Sequence, residues 1–215
     1  MTMTSPPLQR AIDAMSVPGI LVGHRVIADG DERALLPEER DAFVGSVIKV
    51  QRASGAARIV ARGLMQGFGH AQTAIRKSTA GMPVWPAAVV GSLAHEATIA
   101  VAAVASRDRF ASVGVDIEPA GPLDADLLDI VATERERQSI ERDPLRGRVL
   151  FSVKEAVYKA VYPLDRMFLD HHDVEVDLPN GLAVVRRGRA VPFRFCVASH
   201  IVALAFIPAE AAAQH

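Results

Sequence analysis

The sequence predicts an α+β fold with mainly antiparallel sheets, and three observations carry that expectation. Helical patterns precede strand patterns in each half of the chain, instead of alternating with them as in a parallel βαβ series. Three short β-like runs follow one another closely at 88–93, 98–105 and 111–117, which suits an antiparallel meander. Turn residues at Pro179-Asn180-Gly181 and Ser199-His200 divide the later runs into hairpins.

In chain order, residues 1–16 read as a polar leader with paired prolines, expected to be mobile. Residues 17–28 are rich in Val, Ile and Leu, broken by Gly19 and Gly23, and predict one or two short strands. Pro37-Glu38-Glu39-Arg40 has the form of a helix start, with proline first and acids near the positive end of the dipole. A second helix is predicted over 53–68, its apolar face made by Ile59, Val60, Leu64 and Met65 and its end set by Gly67 and Gly69. Arg58 and Arg62, four apart, share one side of it, either as a solvated face or as a paired anion clamp. From Arg76 to Pro86 two prolines and Gly81 preclude regular structure.

The second half opens with polar helices over 124–131 and 133–141, the latter with Thr133 as N-cap and Glu136 three residues on. A longer helix is predicted from Pro144 to Val161, closed by Pro163. Val149, Val153, Val157 and either Ala160 or Val161 form its buried stripe. Strands are predicted over 173–178, 182–187, 191–198 and 201–207. The expected organisation is the leader, a first subdomain over 17–112 and a second over 113–215.

Composition narrows the function. Half of the 215 residues are hydrophobic and the formal net charge is −1, so wholesale binding to nucleic acid or an acidic membrane is not expected. No apolar run approaches the ~20 residues of a membrane helix, and the start lacks the basic and apolar regions of a signal peptide. A soluble cytoplasmic protein is expected. The single cysteine, Cys196, reads as a buried structural thiol. Charge is nevertheless uneven. Between Asp41 and Glu96 there is no acid but there are six cations: Lys49, Arg52, Arg58, Arg62, Arg76 and Lys77. From Asp116 to Asp143 nine acids meet three arginines. Such asymmetry suits an anionic ligand held beside a metal, and equally suits ordinary solvated helix faces.

Two stretches concentrate the chemistry. In Gly114-Val115-Asp116-Ile117-Glu118-Pro119, strand alternation sends Val113, Val115 and Ile117 to one face and Asp116 and Glu118 to the other, with Gly114 leaving space beside them. Two hard oxygen ligands side by side, completed by water and a substrate phosphate, is how Mg²⁺ is held; the alternative is an amphipathic strand with a wet face. In the segment 151–160, Glu155 and Lys159 stand four apart, either as a surface ion pair or as groups reaching a diphosphate together with Lys154. His95 ends a β-like run beside the basic segment.

The ordered succession of 58–62, Gly81-Met82-Pro83-Val84-Trp85-Pro86, Gly91-Ser92-Leu93-Ala94-His95, 114–118 and 151–160 resembles the 4′-phosphopantetheinyl transferases, in particular their monomeric Sfp/EntD-like branch, which is found with siderophore and polyketide synthesis. The resemblance runs from about Leu36 to Leu178. It implies a pseudo-two-fold monomer of two similar α/β subdomains with coenzyme A between them. It also implies transfer of phosphopantetheine to a serine of apo acyl or peptidyl carrier proteins, releasing 3′,5′-ADP. Carried over by position, Asp116, Glu118 and Glu155 hold Mg²⁺, with Mn²⁺ the alternative ion, and Glu155 is the candidate base. Lys159 contacts the phosphates with Lys154 nearby, and Asp116, Glu155 and Lys159 form the catalytic set. Arg52, Arg58, Arg62, Lys77, Ser92 and His95 are the remaining coenzyme A candidates. Two departures stand out: Ala94 replaces the usual hydroxyl residue, and Glu96 sets an acid beside His95. A metal-dependent phosphohydrolase of coenzyme A, or a binding protein without turnover, are the competing functions. The carrier is expected to dock near 124–141, touching Arg135, Arg137 and Arg142.

Overall fold

In the computed structural model, residues 4–140, 143–186 and 188–209 are described, the side chain of Ser139 excepted. The chain forms two antiparallel sheets, each covered by one long helix. Strand β1 (Ile20–Val26), β2 (Val89–His95) and β3 (Ile99–Ser106) make the first sheet in the order β1-β3-β2, with α3 (Ile48–Met65) across it. The second sheet runs β4-β8-β7-β6-β5, from β4 (Phe110–Pro119), β5 (Val174–Asp177), β6 (Leu182–Val185), β7 (Arg189–Val197) and β8 (His200–Pro208). Helix α6 (Pro144–Asp165) lies over β4 and β8. The fold is α+β.

Several expectations need correcting. Over residues 6–14 the leader is a helix, α1 (Pro6–Ala14). Its paired prolines occupy the first helical positions, where a missing N–H costs nothing, and Leu8 and Ile12 are buried on one face together with Met15 just past its end. These side chains join Val90, Val101, Val115, Val202 and Leu204 in the apolar layer between the two sheets. Residues 17–28 give one strand, and Pro37 opens only a single turn, α2 (Pro37–Arg40). Helix α3 begins at Ile48, five residues before the expected start; Val47 precedes it with extended backbone, and the side chains of Val47, Ile48 and Val50 stay exposed. No apolar stripe marks such a turn. The meander stops after two strands. β2 and β3 pair as predicted, but β4 leaves to pair antiparallel with β8 from Phe110–Pro208 to Pro119–His200.

In the second half, α4 (Ala125–Val131) and α5 (Glu134–Ile140) lie close to their expected positions; Glu141 falls outside the described residues. Helix α6 continues two residues past Pro163. In the last turn proline removes one bond from a helix that is ending anyway, and Arg166 caps it with its N–H on the Tyr162 carbonyl at 2.9 Å. Val149, Val153, Val157, Ala160 and Val161 are all buried, so the predicted stripe forms the second core with Phe193, Ile201 and Ala203. The Pro179-Asn180-Gly181 and Ser199-His200 hairpins join β5 to β6 and β7 to β8.

Gly114 decides how α6 sits on β4. A Cβ there would fall on the Ala156 carbonyl and within 2.6 Å of the Ala160 nitrogen. The space beside the two carboxylates is therefore filled by helix backbone and is not left open for a ligand.

Candidate functional site

Strand alternation works on β4 as the sequence predicts. Val113, Val115 and Ile117 are sealed between the sheets, while Asp116 and Glu118 face α6. Because α6 approaches β4 so closely, one helical row, Arg148, Ser152 and Lys159, meets those carboxylates directly. Lys159 Nζ donates to Asp116 Oδ1 at 2.7 Å, Ser152 Oγ donates to Asp116 Oδ2 at 2.9 Å, and Arg148 Nη1 donates to Glu118 Oε2 at 3.1 Å. Asp116 is only 7% exposed. Of the two readings of Glu155 and Lys159, the surface ion pair along the helix is not formed: Lys159 reaches across to Asp116 on the strand.

The acids of this corner repel one another. Burial first, then the charge of Asp116, raises the pKa of Glu118 against the opposing pull of Arg148 and Lys159. Burial likewise raises that of Glu155; Lys159 opposes, and Asp116 adds to the rise. Among the described residues no three acid, histidine or cysteine side chains are already gathered at metal-ligand geometry. Three hard carboxylates, two of them with pKa values raised by burial and by the charge of Asp116, do fit a divalent cation in their chemistry.

His95 ends β2, and its side chain is exposed. Partial burial, then Lys159 and Lys77, lower its pKa, with Arg58 adding and Glu96 opposing. His95 from the first half and Lys159 from the second are thus electrostatic neighbours. A cleft of about 590 Å³ between the halves is lined by Ser92, Trp85, Arg107, Tyr158 and Lys159 among others. His95 opens with Lys49 and Arg52 into a neighbouring depression of about 480 Å³. Glu155 opens with Ile130, Tyr158 and Phe168 into another of about 200 Å³. Lys77 lies exposed with its ammonium 4.7 Å from the centre of the Phe43 ring.

Other predicted ligands are engaged elsewhere. Lys154 is 1% exposed and donates to Glu136 Oε2 at 2.7 Å and to the carbonyls of Val131 and His171 at 2.8 Å each. All three of its protons are used inside the fold, so it does not reach the cleft. Arg58 is 2% exposed; it donates to the carbonyls of Ile75 and Ser54 and lies 3.5 Å from Glu39. Arg62 donates to Glu39 Oε1 at 2.9 Å and to the Ala34 carbonyl. The pair is neither a solvated face nor an anion clamp, because its counter-ion is the buried Glu39. Arg52 is paired with Asp29 at 2.6 Å and Glu32 at 3.0 Å. Of the arginines expected at the carrier surface, Arg135 pairs with Glu175 and Arg137 with Asp129, while Arg142 lies outside the described residues.

Glu96 lines the same depression as His95, but its carboxylate is engaged by its own turn. Its Oε1 accepts from the Thr98 amide and hydroxyl and the Ile99 amide, and His200 Nε2 is 3.3 Å away. Burial opposes its charge, but these donors together outweigh burial and lower its pKa. Ala94 is buried in the layer between the sheets. Burial pushes the Cys196 thiol up to about 11, in keeping with a structural cysteine. Arg148 and Ser152 were not singled out from the sequence, although their helical spacing from Lys159 was legible there.

The sequence of the chain has counterparts among known proteins. The sequence profile of the 4′-phosphopantetheinyl transferase N-terminal domain matches residues 38–105, and that of the 4′-phosphopantetheinyl transferase superfamily matches 112–205. The chain belongs to this superfamily. Its Asp116, Glu118, Glu155 and Lys159 lie within the second matched region, and His95 within the first. The chain is 37% identical over 143 residues to 4′-phosphopantetheinyl transferase Npt of Nocardia iowensis, covering 65% of this chain and 64% of that protein. It is 36% identical over 145 residues to PptT of Mycobacterium tuberculosis, covering 66% and 64%. It is also 35% identical over 148 residues to Svp of Streptomyces mobaraensis, covering 66% and 60%. The match thus spans less than two thirds of the length of these relatives. No described helix is long and apolar enough to cross a membrane.

Proposed function

We propose that the chain transfers the phosphopantetheine arm of coenzyme A to a serine hydroxyl of an apo acyl or peptidyl carrier protein and releases 3′,5′-ADP. The observation that carries this reading is the crowded acid corner, Asp116, Glu118 and Glu155, beside Lys159 at the meeting of the two halves. Asp116, Glu118 and Glu155 would hold Mg²⁺, or Mn²⁺ in its place, and the ion would supply charge neutralisation and Lewis-acid polarisation at the diphosphate. Lys159, now on Asp116, donates to the diphosphate and offsets charge on the departing phosphate. Glu155, with its raised pKa and its opening onto the surface, takes the proton of the incoming hydroxyl. His95, its pKa lowered in the free chain by burial, Lys159 and Lys77, meets the dianionic 3′-phosphate, which favours its protonated form, with Lys77 and Arg52 near it.

The expected partners are coenzyme A and carrier proteins, the expected state is a monomer, and the expected compartment is the cytoplasm. Incubation with coenzyme A, Mg²⁺ and an apo carrier domain, followed by intact mass, tests the reading. A carrier heavier by one phosphopantetheine supports it, while loss of coenzyme A without a heavier carrier replaces it with hydrolysis.

A further inference from the structure

The carboxylates of β4 are not held symmetrically. Each has one oxygen on a fixed donor of α6 and one on a movable group or on none. Asp116 Oδ2 is held by Ser152, which is wholly buried, whereas Asp116 Oδ1 is held only by the long, partly exposed side chain of Lys159. Glu118 Oε2 is held by Arg148, and among the described residues Glu118 Oε1 has no hydrogen-bond partner. Arg148 is itself anchored, with Nη2 on the Pro122 carbonyl at 2.9 Å. Its Nε is buried without a partner, although a guanidinium free to turn would bring that N–H to an acceptor. The chain therefore accepts an unsatisfied donor to keep this one orientation.

We infer that Ser152 and Arg148 are positioning residues, which fix one oxygen of Asp116 and one of Glu118 so that the other oxygen of each faces a divalent cation. The cation itself rests on the function proposed above. Outer partners of this kind orient ligand carboxylates, and their loss weakens metal binding by roughly 10–100-fold. Arg148 provides the sharper case. A cation beside Glu118 repels a second cation, so charge alone predicts tighter metal binding once it is removed. Positioning predicts weaker binding. The two readings differ in sign.

The test is Mn²⁺ titration of the full chain, followed by electron paramagnetic resonance, with and without coenzyme A. Ser152→Ala and Arg148→Met are each expected to bind Mn²⁺ about 10-fold more weakly than the unaltered chain, with coenzyme A affinity in the absence of metal unchanged. Arg148→Lys keeps the charge but replaces the rigid two-nitrogen fork with a flexible ammonium that fixes no orientation of Glu118, so it is expected to lose affinity as well. If Arg148→Met does not fold, that variant decides the matter, and Ser152→Cys serves likewise beside Ser152→Ala. Tighter Mn²⁺ binding by Arg148→Met overturns the inference, as does unchanged affinity in folded variants of both positions. Absence of Mn²⁺ binding by the unaltered chain overturns it too. If the variants lose Mn²⁺ but the unaltered chain transfers nothing to a carrier, the positioning roles stand and the proposed function falls.

Discussion

The two halves use one construction to opposite ends. In each, a strand carries a glycine facing the long helix and, two residues on, a charged residue. In β1 these are Gly23 and Arg25; in β4 they are Gly114 and Asp116. In each, a glutamate at the third position of a short helix reaches back to the amide of the residue before the helix and serves as a buried hub. Glu39 accepts from the amides of Leu36 and Ile75 and from Arg62 of α3. Glu136 accepts from the amides of Thr133 and Val176 and from Lys154 of α6. The halves part at the strand charge. Arg25 is fully answered by Asp31 through three contacts of 2.8–3.2 Å. Asp116 instead stands beside Glu118 and Glu155 with too few cations for three acids, and two of the three have raised pKa values. The first half neutralises its charges; the second leaves them unresolved, as a binding site requires and a scaffold does not.

The largest effects should come from the hubs, where the halves are alike. Removing a buried acid strands its cation, at about 3–5 kcal/mol. Glu39→Ala and Glu136→Ala should both lower the urea midpoint strongly, Glu39→Ala more, since it strands two arginines. Near-normal midpoints in either would break the likeness.

At the strand charge the halves should diverge. Asp116→Ala is expected to reduce transfer about 10²–10³-fold while the protein stays folded. Asp31→Ala, which strands Arg25, the strand charge of the first half, should reduce stability with little change in turnover. Matching activity losses from both would remove the distinction between scaffold and site.

The glycines sharpen the comparison at smaller scale. At Gly114 an added methyl meets helix backbone, at Gly23 only the ends of Val60 and Leu64. Gly114→Ala should therefore cost at least ~3 kcal/mol and Gly23→Ala ~1 kcal/mol or less in thermal or urea unfolding.

The smallest effect concerns Glu155. Its folded pKa is raised, so the stability it contributes is present when protonated, below its ordinary value. That contribution is lost as pH rises through the raised value. Glu155→Gln should thus raise the melting temperature by about 2 °C at pH 7.5, and the difference should vanish near pH 4. An equal difference at both pH values would show that repulsion and burial of the charge are not its cause.

Local patterns were legible where the physics is local. The valine stripe of α6, the Thr133–Glu136 capping box, the Asn180-Gly181 hairpin and the alternation along β4 are each fixed by near neighbours in sequence. The leader was misread because two prolines suggest irregular chain until Leu8, Ile12 and Met15 have a surface to cover. The basic segment was misread for a related reason. Its arginines were counted without Glu39, Glu32 and Asp29, which lie outside the stretch in sequence and against it in space.

The sequence by itself determined most of the helices and strands and the pair of carboxylates on one face of β4, because periodicity and turn chemistry act over a few residues. Through its ordered motifs it also carried the family. The tertiary structure alone decided which charges remain for a ligand. Lys154, Arg58 and Arg62 were withdrawn into the scaffold, Glu96 was turned toward His200, and Arg148 and Ser152 were brought onto the acids. Charge compensation depends on distance in space, and that distance was set when Gly114 let α6 settle onto β4.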